Sequence, residues 1–249
     1  MATPGLQPTN APASSRKIGP ILISLICLVV PIAGAVFLSP RLGWAVVVVS
    51  MIVYLLFLGR WVCGRPLGIF INERNLMSLS RFQMVTWSVL LLSAFLTVAL
   101  KRLHVLPPNH EALPLNISMD WRLWALMGIS ATSLVGSPLI LSSKATQPPD
   151  PKAIDKAAQA LNEPSTDIQA NSQGKLYSNA SIKDASLTDM FQGDEVGNTA
   201  YLDVSKVQMF YFTVIAIIAY SYALYAGLGT SIPKKSFRFR CPRMLWLRY

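Results

Sequence analysis

Few residues in this sequence have types that could do chemistry, and their spacing gives them little to work with. His104 and His110, followed directly by Glu111, fall in a Pro-rich stretch. Zinc ligands come as closely spaced pairs; these residues do not, so a surface loop is expected. Asp194 and Glu195 stand together in the string GDEVGN. Adjacent carboxylates mark a cation site only when further ligands follow at fixed offsets, and a solvated acidic turn is the simpler expectation. Cys27, Cys63 and Cys241 lack CxxC spacing, which argues against a zinc ribbon or a disulfide framework. No nucleophile stands beside a base, and no carboxylate pair lies in or next to an apolar stretch. Catalytic residues, metal and cofactor are therefore all expected to be absent.

One spacing does stand out. The ten residues from Ser80, SRFQMVTWSV, align with the ten from Ser205, SKVQMFYFTV, at an offset of 125, with four identities. A shared S-[RK]-x-Q-M is polar and positional, which the compositional likeness of apolar helices does not supply. Serine followed three residues later by glutamine is the capping-box spacing. Ser80 with Gln83 and Ser205 with Gln208 are thus expected to cap two equivalent helices, leaving Arg81 and Lys206 at headgroup level, where long cationic stems snorkel. The competing expectation is that these glutamines bond neighbouring helices.

The elements that must position these motifs follow from charge. Of 249 residues, 34 are charged, or 14%, against about 25% in soluble domains. Five stretches, 18–38, 42–58, 82–100, 124–141 and 207–228, contain no Asp, Glu, Lys or Arg. Each approaches the roughly 20 residues a helix needs to cross a bilayer, and backbone in lipid must satisfy itself, so helices are expected. The fold class is therefore all-α integral membrane, with about five transmembrane helices, an internal parallel repeat and a mostly disordered acidic soluble segment. A single soluble domain is excluded.

The chain divides into a disordered tail at 1–17, a transmembrane hairpin at 18–58 and a basic cytoplasmic loop at 59–81. Repeat one, with two helices, follows at 82–141, and then the acidic soluble segment at 142–206. Repeat two is the helix at 207–228, and a basic tail fills 229–249. Ala33-Gly34-Ala35 resembles a signal-peptidase site, but the long Pro/Ser-rich leader favours retention of the first span. Gly128, Thr132 and Gly136 recur every four residues and form a small-xxx-small face for close helix packing. Residues 142–185 have one short helical candidate, Ile154 to Leu161, and too few apolar positions for a core. In 186–206, Leu187, Met190 and Phe191 are expected to cap the membrane helices.

The strings RPLGIFINERNLMSLSRFQMVTW, LWALMGISATSLVGSPLI and GDEVGNTAYLDVSKVQMFYFT resemble those of a bacterial family of polytopic integral membrane proteins without an established biochemical function. The resemblance covers roughly residues 40 to 228. It implies membrane residence and the duplicated helix pattern, and it brings no catalytic residue. After residue 228 the sequence departs from the further apolar helix this pattern implies. The helix at 207–228 thus lacks the return helix of repeat one, and another protomer or membrane protein is expected to cover it.

Lys and Arg counts are nearly equal on the two sides whether all five stretches cross or the fourth is re-entrant, so the positive-inside tendency decides nothing. The parallel repeat places both motifs on one face and requires five crossings, with the N-terminus in the cytoplasm of a bacterial inner membrane. The net charge of +10 flanks apolar stretches, so the partner is the lipid bilayer and not nucleic acid. The functional expectation is a non-enzymatic anchor, scaffold or assembly subunit. The alternative is an oligomeric channel or transporter, although no ionisable residue stands inside a span to mark an ion path.

Overall fold

The computed structural model describes residues 18–104, 125, 128, 132, 135–136 and 139–229. The expected tails at 1–17 and 230–249, and His110 and Glu111, lie outside the described residues. Helix α1 runs from Ile18 to Phe37 and carries Pro31 within it. Helix α2, Pro40–Cys63, follows after two residues, with Pro40 in the first turn, where its missing N–H costs nothing. The two can turn so sharply because glycines meet: a Cβ on Gly43 would stand 2.9 Å from the Gly34 carbonyl oxygen, and one on Gly34 2.6 Å from Val46.

α2 ends at Gly64 in the left-handed conformation, φ 73°, and a 3-10 turn at Pro66–Phe70 folds back on it. Helix α3 then spans Leu79–His104. After the helical residues 125, 128, 132 and 135–136, the helical residues 139–145 lead into the soluble segment. That segment contains α4 at Pro151–Leu161, α5 at Ser165–Asn171 and short 3-10 turns at Ile182–Asp184 and Leu187–Phe191. The last helix, α6, is Val204–Gly227. Among the described residues β-pairing is confined to isolated bridges such as Ile71 with Met77 and Gln192 with Leu202. The described chain is all-helical, and α2, α3 from Leu79 to Leu103, and α6 are long and apolar enough to cross a membrane.

α3 and α6 lie side by side in the same direction. Phe82 stacks near Phe210 at 5.6 Å, Gln83 bonds Thr213, and Trp87 meets Tyr220 edge-on at 5.7 Å. Leu224 and Leu228 then join Ala94, Val98 and Trp44 in the apolar core. These contacts pair positions 128 to 133 apart, so the register between the helices is looser than the sequence offset of 125. At the far end, cations serve exposed helix carbonyls. Lys101 donates to the Val36 oxygen at 2.8 Å and also to Leu38, closing the end of α1. Arg41 donates to the Tyr225 oxygen at 3.0 Å near the end of α6 and lies over the Tyr225 ring.

Residues 142–206 are not the largely disordered segment expected from composition. They fold with the loop between α2 and α3 into a cap over the N-terminal ends of α3 and α6. The reason is that the core draws on two distant pieces of chain: Leu76 from the loop packs with Ile154, Ala157, Ile168, Tyr177 and Val196. A second cluster, Ile71, Met77, Leu79, Ala185 and Met190, joins the cap to Phe82 and Phe210 on the helices. Met190 and Phe191 perform the expected contact, whereas Leu187 is exposed.

Two predictions follow from the helix ends and crossings. Gly43→Val should lower stability by about 1–3 kcal/mol, the usual cost of overpacking, because its nearest neighbours are backbone atoms of α1. Gly128→Ala and Gly136→Ala, whose added Cβ would meet no described atom within 4 Å, should change it by less than about 0.5 kcal/mol. Thermal unfolding in detergent reads both. Asp203, whose carboxylate accepts from the Ser205 and Lys206 amides at 3.0 and 3.3 Å, caps α6. Asp203→Ala should therefore cost about 1 kcal/mol and Ser205→Ala almost nothing, measured in the same melts.

Candidate functional site

The capping-box roles expected at the repeated motif do not carry over. Ser205 lies in the first turn of α6, and the cap is Asp203, two residues earlier. Ser80 lies in the first turn of α3, which begins at Leu79. Gln83 does not reach back to its own helix end; its amide donates to Thr213 Oγ1 of α6 at 2.7 Å, buried between the helices. Thr213 in turn donates to the Met209 carbonyl, one turn back. Gln208 faces outward. Spacing alone cannot separate a capping glutamine from a bridging one, since both need a polar side chain in the first turns. Capping boxes do occur elsewhere, in the cap: Ser181 with Asp184 and Ser186 with Asp189.

Gly128, Thr132 and Gly136 are helical, with Gly128 and Thr132 exposed and Gly136 half-buried. Their small-residue face meets no described neighbour at either glycine. Thus the structure brings Ser80, Gln83 and Ser205 to one place, and it puts Gln208 and the small-residue face elsewhere.

At that place stands a charged cluster that sequence reading assigned to solvent. Arg74, only 7% exposed, donates through Nη2 to Asp194 Oδ1 at 2.6 Å, and through Nη1 to the Tyr177 and Asp194 carbonyls at 3.2 and 3.0 Å. Lys206, in the first turn of α6, donates to the other Asp194 oxygen at 2.9 Å and to the Gln192 carbonyl at 2.7 Å. Asp194 thus bridges the loop before α3 to the start of α6. Glu195 pairs with Lys144 at 2.6 Å. The expected solvated acidic turn is instead an ionic junction. What was missing from the sequence was the partner: Arg74 lies 120 positions away, beyond any local pattern.

The loop that presents Arg74 is built by Asn72. Its side-chain oxygen accepts from the Arg74 and Leu76 amides at 3.0 and 3.1 Å, and Asn75 takes the left-handed conformation, φ 58°, which asparagine tolerates. Asn75 and Asn179 exchange side-chain amide bonds to each other's carbonyls at 3.0 Å. Arg65 donates to the carbonyls of Ile182, Lys183 and Ala185, and Arg81 to that of Ile71. Arg65, Arg74 and Arg81 thus each donate to backbone carbonyls of the cap and its loop, while Arg60 donates to Gly64 at the end of α2.

Two carboxylates in the cap are shifted in opposite directions. Burial pushes Asp194 up, but the Lys206 and Arg74 cations outweigh it and hold the group below the ordinary aspartate value. Burial raises Asp189, and the backbone amides of Ser186 and Met77 and the nearby Arg65 offset it only in part.

Beneath the junction lies a cavity of about 1150 Å³. Its walls are the first turns of α3 and α6, the α2–α3 loop, Leu141, Ser142 and Ala145, and the Gln192–Asp194 strip. Ser80, Arg81 and Met84 of one motif face Ser205, Lys206 and Met209 of the other across it. Among the described residues no group of three His, Cys, Asp or Glu side chains is placed to hold a metal. No protein-family model, curated protein or solved structure matches the chain.

The junction generates a pH prediction. Because the folded value of Asp194 is depressed, its contribution is present above about pH 4, the ordinary range, and is lost as pH falls through the folded value. Asp189, being raised, contributes with the opposite sign, so Asp194→Asn isolates the effect. In the wild-type chain, hydrogen exchange of residues 173–196 should accelerate on acidification relative to α2. In Asp194→Asn it should already be fast at neutral pH, with a local loss of order 2–3 kcal/mol.

Proposed function

We propose that the protein is a non-enzymatic subunit of a bacterial inner membrane, an anchor or scaffold that holds a folded cap rigidly at one membrane surface. The observation that carries this reading is the Arg74–Asp194–Lys206 junction, which ties the cap directly to the first turn of α6 and the approach to α3. A tether alone would need no such bond; a cap with a fixed attitude to its helices does. On this reading the chain crosses the membrane five times with its N-terminus in the cytoplasm, and α3 and α6 are copies of one element, as the resemblance to uncharacterised bacterial membrane proteins implies. The location of residues 139–145 on the cap side, with Lys144 bonded to Glu195, supports a return crossing between α3 and the cap.

A second reading, a channel or transporter subunit, is favoured by the cavity between the two motifs. Against it, Gln83 and Thr213 close on each other below the cap, and Ser93 and Thr97, fully buried on α3, bond within their own helix. A further part of the proposal is a partner for α6, another copy or another membrane protein, since Tyr211, Phe212, Ile215, Ile218, Tyr222 and Tyr225 are all exposed.

Reconstitution separates the readings. With Cys27, Cys63 and Cys241 replaced by serine, Tyr222→Cys should give a crosslinked dimer or heterocomplex in native membranes, and liposomes bearing the wild-type chain should show no ion flux above empty controls. Flux lost on Gln83→Leu would establish the second reading, and an uncrosslinked monomer would remove the partner.

A further inference from the structure

We propose that the cavity between the cap and the first turns of α3 and α6 binds one zwitterionic glycerophospholipid, its phosphate at Arg81, its ammonium at Glu73 and an acyl chain in the groove that runs along the two helices beside the Gln83–Thr213 bond. The inference rests on the reading of the chain as a membrane protein and goes beyond it by assigning a ligand.

The cavity, at about 1150 Å³, exceeds the roughly 300–1,000 Å³ of ordinary small-molecule sites. Along α6 the lining runs from Ser205 to Ala216, which at 1.5 Å per residue is about 16 Å, close to half of a hydrocarbon core about 30 Å thick. A site that begins at the helix start and ends one leaflet deep has the reach of a lipid chain.

Every charged residue of the lining, Glu73, Arg74, Arg81, Asp189, Asp194 and Lys206, lies at or above the helix starts, whereas the deep part holds Met84, Trp87, Met209, Phe212 and Ala216 with Gln83 and Thr213, which bond each other. Methionines give an adaptable apolar wall, which suits a flexible chain more than a rigid ring system.

Arg74, Arg81 and Lys206 are balanced in the lining by Glu73, Asp189 and Asp194. Arg74 and Lys206 divide Asp194 between them. Arg81 donates one bond, from Nη1 to Ile71 at 2.7 Å, out of the five N–H donors of a guanidinium, and Glu73 stands exposed at the edge. Phosphate and ammonium on one headgroup satisfy both signs. An anionic headgroup would leave the acidic side uncompensated and meet Glu73 as a like charge.

The test is native mass spectrometry of the full chain extracted from vesicles of equal phosphatidylethanolamine and phosphatidylglycerol. One phosphatidylethanolamine per chain is expected, preferred by about tenfold, or 1.4 kcal/mol. Met84→Trp and Met209→Trp, which fill the apolar part from different helices, should each abolish retention at an unchanged melting temperature. Arg81→Gln should lower it about tenfold. Absence of bound lipid, equal retention of both headgroups, retention by both filled variants, or displacement by inorganic phosphate alone would each overturn the proposal. Alkaline extraction of the same membranes separates the two levels: a chain stripped by alkali defeats the membrane reading itself, and a chain that stays but carries no lipid defeats only the site.

Discussion

The architecture depends on one carboxylate held between two cations that stand 132 positions apart in the chain. Asp194 joins Arg74, in the loop before α3, to Lys206, in the first turn of α6. A guanidinium buried to this degree is stable only when most of its donors are matched. Here the carboxylate and two backbone carbonyls match them. The loop from 64 to 79 and the segment from 173 to 206 consequently fold as one body. Everything above the helices inherits its position from that closure: Tyr177 and Val196 reach Leu76, and Met190 reaches Met77.

Below the junction the constraint changes with the solvent. In hydrocarbon there is no hydrophobic drive between helices, and packing, with a few polar bonds, must hold them. α3 and α6 are joined by the Gln83–Thr213 bond near the cap, by aromatic contacts at Phe82–Phe210 and Trp87–Tyr220, and by the Leu224–Ala94 region below. α2 adds Trp44, whose indole N–H donates to Ser93 at 3.1 Å. Gln83, Ser93, Thr97, Thr213 and Trp44 each spend a donor within the bundle. Bonds of this kind fix the helices against one another at chosen heights.

What could be read in the sequence divides along the range of the interaction. The apolar stretches, the hairpin turn at Ser39–Pro40 and the common start of α3 and α6 are local or periodic signals, and they correspond to α1, α2, α3 and α6 within a few residues. The order of 142–206 was not legible, because its core takes Leu76 from another part of the chain and its charges take Arg74 and Arg65. Counted by itself the segment is polar; counted with the loop it has a core and a neutralised interior. The repeated S-[RK]-x-Q-M was legible as a pattern and misleading as a mechanism. Its polar residues bridge elements, Gln83 to α6 and Lys206 to the cap, where capping had been the local explanation. Its two copies differ accordingly, with Gln83 buried and Gln208 exposed.

The same reasoning explains why counting cations could not orient the chain. From Arg81 to Lys101, α3 carries no charge, about 30 Å at 1.5 Å per residue, the thickness of a hydrocarbon core. The positive-inside tendency concerns cations available to the lipid surface and the insertion machinery, but cations near both ends of this helix also serve backbone carbonyls of the fold. Lys101 closes the carbonyl end of α1 and Arg41 that of α6, where a cation also meets the negative end of the helix dipole. On the cap side Arg65, Arg74 and Arg81 answer cap carbonyls. A helix that ends in a low-dielectric bundle needs a donor for its last carbonyls whichever side it ends on. Among the described residues, helix ends at both ends of the bundle engage cations of their own, and orientation must be read from what those ends hold together.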